Sequence, residues 1–580
     1  MSDNHAFGRP IPEEERGIVE TMRTEPVAIS NNFNAVKRSN NSDVQHLEEL
    51  SSCLHNLFSS SEHTDVTLVL DDGTEFFSHR LILAIRSSFF RAMLFTGFQE
   101  SHQPKVALHD TNSTAFQAVL QYMYTSKIEF AGVELDILLE YLSLAHRYDL
   151  SSLMTAISEY FKEILKNENL CSIFNAAYFF QLTDLIDFCM QYSDKHADQL
   201  LEDPSFCRLT GDSLKELLVR DSFCVSELKI FNAVRTWYKQ NPTMGDSLKT
   251  LIGLVRLPLI SQTELLNFVR PTGLIEADDL LDAIEIQTQK PTEIPYRGYK
   301  SLDTNIVPQY SSIMPLSREL SRRYASEENI TVFHVDLGKP NIINTILIDL
   351  NWKTDVPGFT YQLHVSMENR VDGHWTLVAD YSDYDCRGKQ RVFFSDTVVR
   401  YILLKCTDRM AARLEFSRIE AMYSSETMPV DPKTNVIIAN QNIATVRQNA
   451  RVVEGVSRCR NALINGDMSY DWDTGYTCHQ IGSGHILVQL AQPYIISSMR
   501  ILLWNCDDRF YSYYVAVSTN LTTWTTVVDR TDEQCRGWQE LLFDPLPVVY
   551  IKLVGTRNSI NEVFHVVHLE APSTVPIAVK

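Results

Sequence analysis

"DVTLVLDDGTEFFSHRLILAIRSSFFRAML", residues 65–94, changes its pattern partway along, from strand-like alternation to helical spacing. Val66–Leu70 is a β-branched and apolar run. It meets Asp72-Gly73, a pair suited to the positive φ angles of a tight hairpin, and Glu75–Phe77 reads as the returning strand. From 79 to 95 the apolar spacing becomes helical. On the N-terminal side, Val44, Leu47, Leu50, Leu54, Leu57 and Phe58 form one stripe of an amphipathic helix. On the C-terminal side a short strand, Lys105–Leu108, precedes helical patterns at 113–125 and 134–149. A small sheet with helices packed over it is an α/β or α+β unit, here spanning 42–150.

The flanking blocks differ in character. Residues 1–41 are polar, without apolar periodicity, and read as a disordered tail. From 151 to 285 helix follows helix. The stretch 286–312, with Pro291, Pro295 and Pro308, reads as a linker. Beyond it the apolar period falls to two, in short strands separated by polar turns. This block repeats. "YQLHVS" (361–366) answers "YYVAVS" (513–518) at an offset of 152 residues, and "HWTLVADYSDYDCRGKQ" (374–390) answers "TWTTVVDRTDEQCRGWQ" (523–539) at 149. A hairpin of different length absorbs the three-residue difference. Two copies of one all-β domain are therefore expected, at 313–425 and 441–573, with 426–440 as a linker.

Composition narrows the function. A net charge of −21 over 580 residues repels a polyanion, which weighs against nucleic acid as the main partner. No run approaches the roughly 20 apolar residues of a membrane-spanning helix, so no membrane insertion is expected. The start, "MSDNHAFGRPIPEEERG", has no apolar stretch to act as a secretion signal. The 11 cysteines lack a framework of close spacings, so reduced thiols in the cytosol or nucleus are expected, with the cytoplasm as the assigned location.

Candidate chemistry does not survive inspection. "GDSL" at 211–214 and 245–248 lacks a preceding strand and a positioned His. It reads as a helix N-terminus with Asp212 or Ser213 accepting from free N–H groups. Cys459, Cys478, His479 and His485 have no close Cys pair of zinc-site spacing. Trp375 and Trp524, with Trp352 and Trp504, recur at matching strand positions and read as core residues rather than a ligand platform. Better contact candidates are two hairpin tips, Trp352–Phe359 and Asp507–Tyr511. No enzyme, metal or cofactor is expected.

Residues 65–150 resemble a BTB/POZ domain. The resemblance rests on the Asp-Val strand, the Phe-x-x-His-Arg step and "FQAVLQYMYTSKIEF" (116–130). The helical block resembles the BACK domain, and the repeated β block resembles discoidin, or factor V/VIII type C, domains. The whole is a multidomain chain: an α/β BTB domain, an all-α BACK domain and two all-β discoidin-like jelly-roll sandwiches. Lys389 stands where the second copy has Trp538, so the two copies are not expected to share a binding surface.

The resemblance implies a homodimer through the 44–58 helix, with Val44, Leu47, Leu50 and Leu54 at the interface, and a charged pair of Asp65 and Arg80 nearby. It also implies a substrate-recognition adaptor of a cullin-3 ubiquitin ligase. The cullin would meet the apolar-x-Glu triplet Phe98-Gln99-Glu100, with Tyr124 as an aromatic on the same face. A protein client would be held by the discoidin-like pair. The competing class is a non-enzymatic BTB scaffold or transcriptional regulator that does not bind cullin.

Overall fold

The computed structural model describes residues 47–97, 99–308, 331–351, 358–370, 373–406 and 415–573. The expected tail, 1–41, and Val44 lie outside them. The chain divides into two compact units: one holds 47–86, 90–110 and 117–128, and the other holds 87–89, 111–116 and the chain from 129 onward.

The first block runs α1 (Leu47–Ser60), β1 (Val66–Leu70), β2 (Glu75–Ser78), α2 (Arg80–Arg86), α3 (Ser88–Phe95), β3 (Lys105–Leu108), α4 (Ser113–Thr125) and α5 (Leu135–Arg147). β1 is central, antiparallel to β2 (Leu68↔Phe76) and parallel to β3 (Leu68↔Val106). The hairpin closes at Gly73, with φ +83°, while the Asp72 carboxylate accepts from Thr74 N–H at 2.8 Å. Alternation sends Val66, Leu68 and Leu70 inward, and they are buried, as are Val106 and Leu108 of β3. Burying each such side chain contributes roughly 1.5–3 kcal/mol. The single helix expected over 79–95 is two. The break falls at Ser87, a buried residue whose hydroxyl donates to Tyr148 O at 2.6 Å.

From Ser151–Ile164 to Ala277–Gln289 the chain is helical, with 3-10 and π turns around Leu257–Thr272. Trp237 is fully buried, its indole N–H donating to Leu209 O at 2.8 Å. The proline-bearing stretch after these helices is not a free linker. Gly298 N–H donates to Asp221 O (3.0 Å), Tyr299 pairs in parallel with Asn341, and Ile306 N–H donates to Ala421 O (2.9 Å). Val307 lies in the core of the first β domain. Prolines here remove donors but leave an extended strap whose remaining amides are paired.

The first β domain has strands β4 (Thr331–Asn351), β5 (Phe359–Ser366), β6 (Thr376–Cys386), β7 (Gly388–Cys406) and β8 (Glu415–Met422), in the order β6-β5-β7-β4-β8. The second begins with β9 (Ile437–Ile438), β10 (Arg451–Glu454) and β11 (Thr477–Gln480). It continues with β12 (Ile486–Leu503), β13 (Tyr511–Ser518), β14 (Thr525–Cys535), β15 (Trp538–Asn558) and β16 (Val563–Glu570). Its order is β14-β13-β15-β12-β16, with β11 added at the edge. The two orders are the same, so the sequence repeat is a repeat of topology. Both copies turn after β6 and β14 at a glycine in the left-handed region, Gly388 (φ +65°) and Gly537 (φ +61°). Register shifts inside the long strands β4 and β12 let one strand bend across both layers.

The expected linker 426–440 is also ordered. Val430 pairs with Ile437, β9 runs parallel to β12, and Val436 and Ile437 are buried. Its apolar "NVII" run is drawn into the core by the same burial that orders the strands. The two β domains meet through polar and apolar contacts. Gln492 and Arg391 exchange two hydrogen bonds (2.7 and 2.8 Å), and the Tyr550 hydroxyl donates to Asp385 at 3.0 Å.

Candidate partner-binding site

The loop Thr96–Pro104 leaves α3 through Gly97, whose φ of +90° suits only glycine, and forms a 3-10 turn, Gln99–His102. Phe98 lies outside the described residues. Glu100 is half-buried on the turn. What organises the turn is Arg80. Its guanidinium donates to Ser101 O (3.0 Å), to Gln103 O and, at 3.5 Å, to Glu100 O. The planar fork of an arginine suits three converging carbonyls in a way a lysine does not.

Asp65 completes the arrangement, with a geometry that differs from the pairing implied by resemblance. Its carboxylate accepts from the Arg80 backbone N–H (2.8 Å) at the start of α2, and its carbonyl accepts from Arg80 Nε (3.3 Å). The two side chains therefore serve backbone groups, and the Arg80 guanidinium is committed to the loop.

Tyr124 is inside the domain rather than on a binding face. It is 3% exposed and packs on Phe58 of α1 with ring centroids 5.3 Å apart. Its hydroxyl accepts from His79 N–H (3.0 Å) and lies 2.7 Å from His79 Nδ1. Burial pushes its phenol above the usual tyrosine range. His79 directly precedes α2 and Arg80. His79 and the three-carbonyl role of Arg80 had no periodic signal in the sequence.

On α1, Leu47 opens the helix, Leu50 is 57% exposed and Leu54 is half-buried. An exposed leucine beside partly exposed Leu54 and Leu57 is an apolar face without cover in the single chain. In the helical block Phe179 is 77% exposed at the end of its helix, stacked edge-on against Phe180. Its position at a helix end gave it no distinguishing spacing.

At one end of the second β domain, Trp472 (52% exposed), Tyr470 and Met468 lie at the surface. Beneath them is Trp504, buried and edge-on to Trp472 at 5.1 Å and to Tyr470 at 5.7 Å. The Asp507–Tyr511 tip adjoins this cluster through Trp504. There Arg509 is buried and held by both Asp507 oxygens. Trp352 and most of the other tip, 352–357, lie outside the described residues. Trp375 and Trp524 are half-buried rather than core. Each ring N–H donates to a loop carbonyl, Arg370 O at 2.9 Å and Leu521 O at 3.2 Å, so both tie down hairpins.

The set-aside motifs have structural duties. The helix Gly211–Val219 is capped by Thr210, whose hydroxyl accepts from Ser213 N–H at 3.2 Å, rather than by Asp212 or Ser213. His479 Nε2 accepts from Gly555 N–H (2.9 Å), and His485 pairs with Glu454 (3.1 Å). Among the described residues no three His, Cys, Asp or Glu side chains group as metal ligands, and no helix is long and apolar enough to cross a membrane.

Comparison with known proteins agrees with this architecture. The BTB/POZ domain model matches residues 54–165, the BTB And C-terminal Kelch (BACK) model 170–270, and the F5/8 type C domain model 454–567. The chain is thus a BTB–BACK protein carrying F5/8 type C architecture. BTB/POZ domain-containing protein 9 of Homo sapiens is 39% identical over 552 residues, covering 91% of this chain and 89% of that protein. That of Drosophila melanogaster is 37% identical over 551 residues, covering 91% and 74%. Kelch-like protein 3 of Mus musculus is 26% identical over 273 residues, covering 47% and 46%. The chain belongs to the BTB/POZ domain-containing protein 9 family.

Proposed function

We propose that this chain is a dimeric substrate adaptor that carries a protein client to a cullin-3 ubiquitin ligase. The BTB–BACK architecture, shared in part with Kelch-like protein 3, supports an adaptor. The observation that carries the cullin reading is the Arg80-braced turn bearing Glu100. An apolar anchor at Phe98 beside a carboxylate at Glu100 suits a partner offering a pocket and a basic rim. α1 supplies the dimer contact through Leu50 and Leu54. The client is held at the Met468–Trp472 surface of the second β domain, where exposed aromatics offer large contact area with little rotamer entropy lost.

The adaptor is expected in the cytoplasm, without catalytic groups of its own. Affinity capture from cells treated with a neddylation inhibitor tests the reading. Cullin-3 and one enriched client should copurify with wild type. Changing Met468→Ser and Trp472→Ser should release the client and keep the cullin. Capture of neither by the wild-type chain would overturn the adaptor.

A further inference from the structure

The second half of the helical block contains a groove lined by none of the residues assigned above to the cullin or client contacts. It has a volume of about 610 Å³ and lies between the helices Gly245–Ile252 and Ala277–Gln289. Ile252, Val255, Leu274 and Ile286 form an apolar floor. Glu276, Asp279 and Asp282 recur every three residues along one wall and are exposed, while Lys249 stands on the opposite wall. Among the described residues these three carboxylates have no ion-pair partner. A helix dipole favours acids in the first turn, which accounts for Asp279 but not for Asp282 one turn on.

We infer that this groove is a docking site for an amphipathic helical segment of a partner protein, with aliphatic side chains on one face and lysine or arginine beside them. The volume is in the range of ligand sites, roughly 300–1,000 Å³, yet no buried polar group converges on it to orient a small molecule. A second copy of this chain is disfavoured, because a two-fold contact through the groove sets the acidic wall near its own copy. An anionic lipid surface is repelled by the same wall. A helix seated in an apolar groove, with anchors every three or four residues and cations against Glu276, Asp279 and Asp282, satisfies both walls. Lys249 on the opposite wall makes the groove's charge asymmetric, which fixes the direction in which a basic-sided helix lies.

The test uses the full chain and a fluorescent amphipathic peptide of about three to four turns, leucine at heptad a and d positions and lysine beside them. Anisotropy reads its affinity for wild type, for Asp279→Lys with Asp282→Lys, and for Ile286→Asp, each with an unchanged melting temperature. Ile286→Asp adds negative charge while spoiling the floor, so it separates a groove from plain charge attraction. Both variants should bind at least about tenfold more weakly, a loss of about 1.4 kcal/mol. Equal or tighter binding by Ile286→Asp would reduce the effect to surface charge and overturn the site. So would wild type that fails to bind the peptide at 100-fold excess, or an Ile286→Asp variant that dissociates an oligomer.

Discussion

Glu227 and Arg297 form an ion pair with side chains 1% and 2% exposed, and it fastens the strap after the helical domain to that domain's interior. Arg297 also donates to Leu218 O (3.0 Å) and Arg220 O (2.5 Å), while the second Glu227 oxygen accepts from Arg256 N–H at 3.0 Å. Removing one partner of such a pair leaves a buried charge uncompensated, at a cost of about 3–5 kcal/mol. Glu227→Ala should therefore loosen the strap. Hydrogen exchange at Gly298 and Tyr299, whose amides donate to Asp221 O and Pro340 O, should accelerate strongly. Unchanged protection there would show that the pair does not hold the strap.

The dimer is expected to depend on α1. Changing Leu50→Asp and Leu54→Asp puts two charges on its apolar face. Light scattering at micromolar concentration should then report a soluble monomer, against a dimer for wild type. A monomeric wild-type chain would show that the apolar face of α1 holds no second copy.

His364 and His565, one in each β domain, are both held down to about 4. Burial is the main cause for each, with Lys405 and Arg509 respectively adding repulsion. A histidine kept neutral when folded takes up its proton more readily when unfolded. Both β domains should therefore be steady above about pH 6.5, the ordinary histidine value, and lose stability progressively from there to about pH 4. Denaturant midpoints measured across that window check the sign. His364→Gln with His565→Gln should flatten the slope.

Arg80 should behave as a positioning residue for the turn it braces. Arg80→Lys keeps the charge but loses the planar fork, so cullin affinity should fall while the dimer persists. An Arg80→Lys chain with wild-type affinity would mean that the carbonyl contacts are incidental to binding.

Much of the molecule was legible in the sequence because its signals are local. β1 and β3 follow from alternation and β2 from its turn chemistry. The repeat is read directly from two matching strands. What escaped the sequence depends on distant partners. The strap looks like a linker because its amides pair with Asp221, Pro340 and Ala421 rather than with neighbours. Trp375 and Trp524 look like core residues because aromatic recurrence does not distinguish a buried ring from one that ties a hairpin. Tyr124 sits at the end of an amphipathic helix, and it is covered from a distance, by Phe58 of α1, 66 residues earlier, and by His79, 45 residues earlier. Phe98-Gln99-Glu100 is a common triplet in sequence, and the bracing of the Gln99–His102 turn by Arg80, from about 20 residues earlier, left no local signal.

The Arg80-braced turn is expected to bind cullin-3 through Phe98 and Glu100. Calorimetric titration of the cullin-3 N-terminal domain into wild type and into a Phe98→Ala, Glu100→Ala variant tests it most directly, once both are shown to be dimers with the same melting temperature. A central aromatic anchor is worth about 2 kcal/mol or more, so the variant should bind at least about 30-fold more weakly. Equal affinity for the folded variant would place the cullin contact elsewhere, and a wild-type chain that binds no cullin would leave a scaffold.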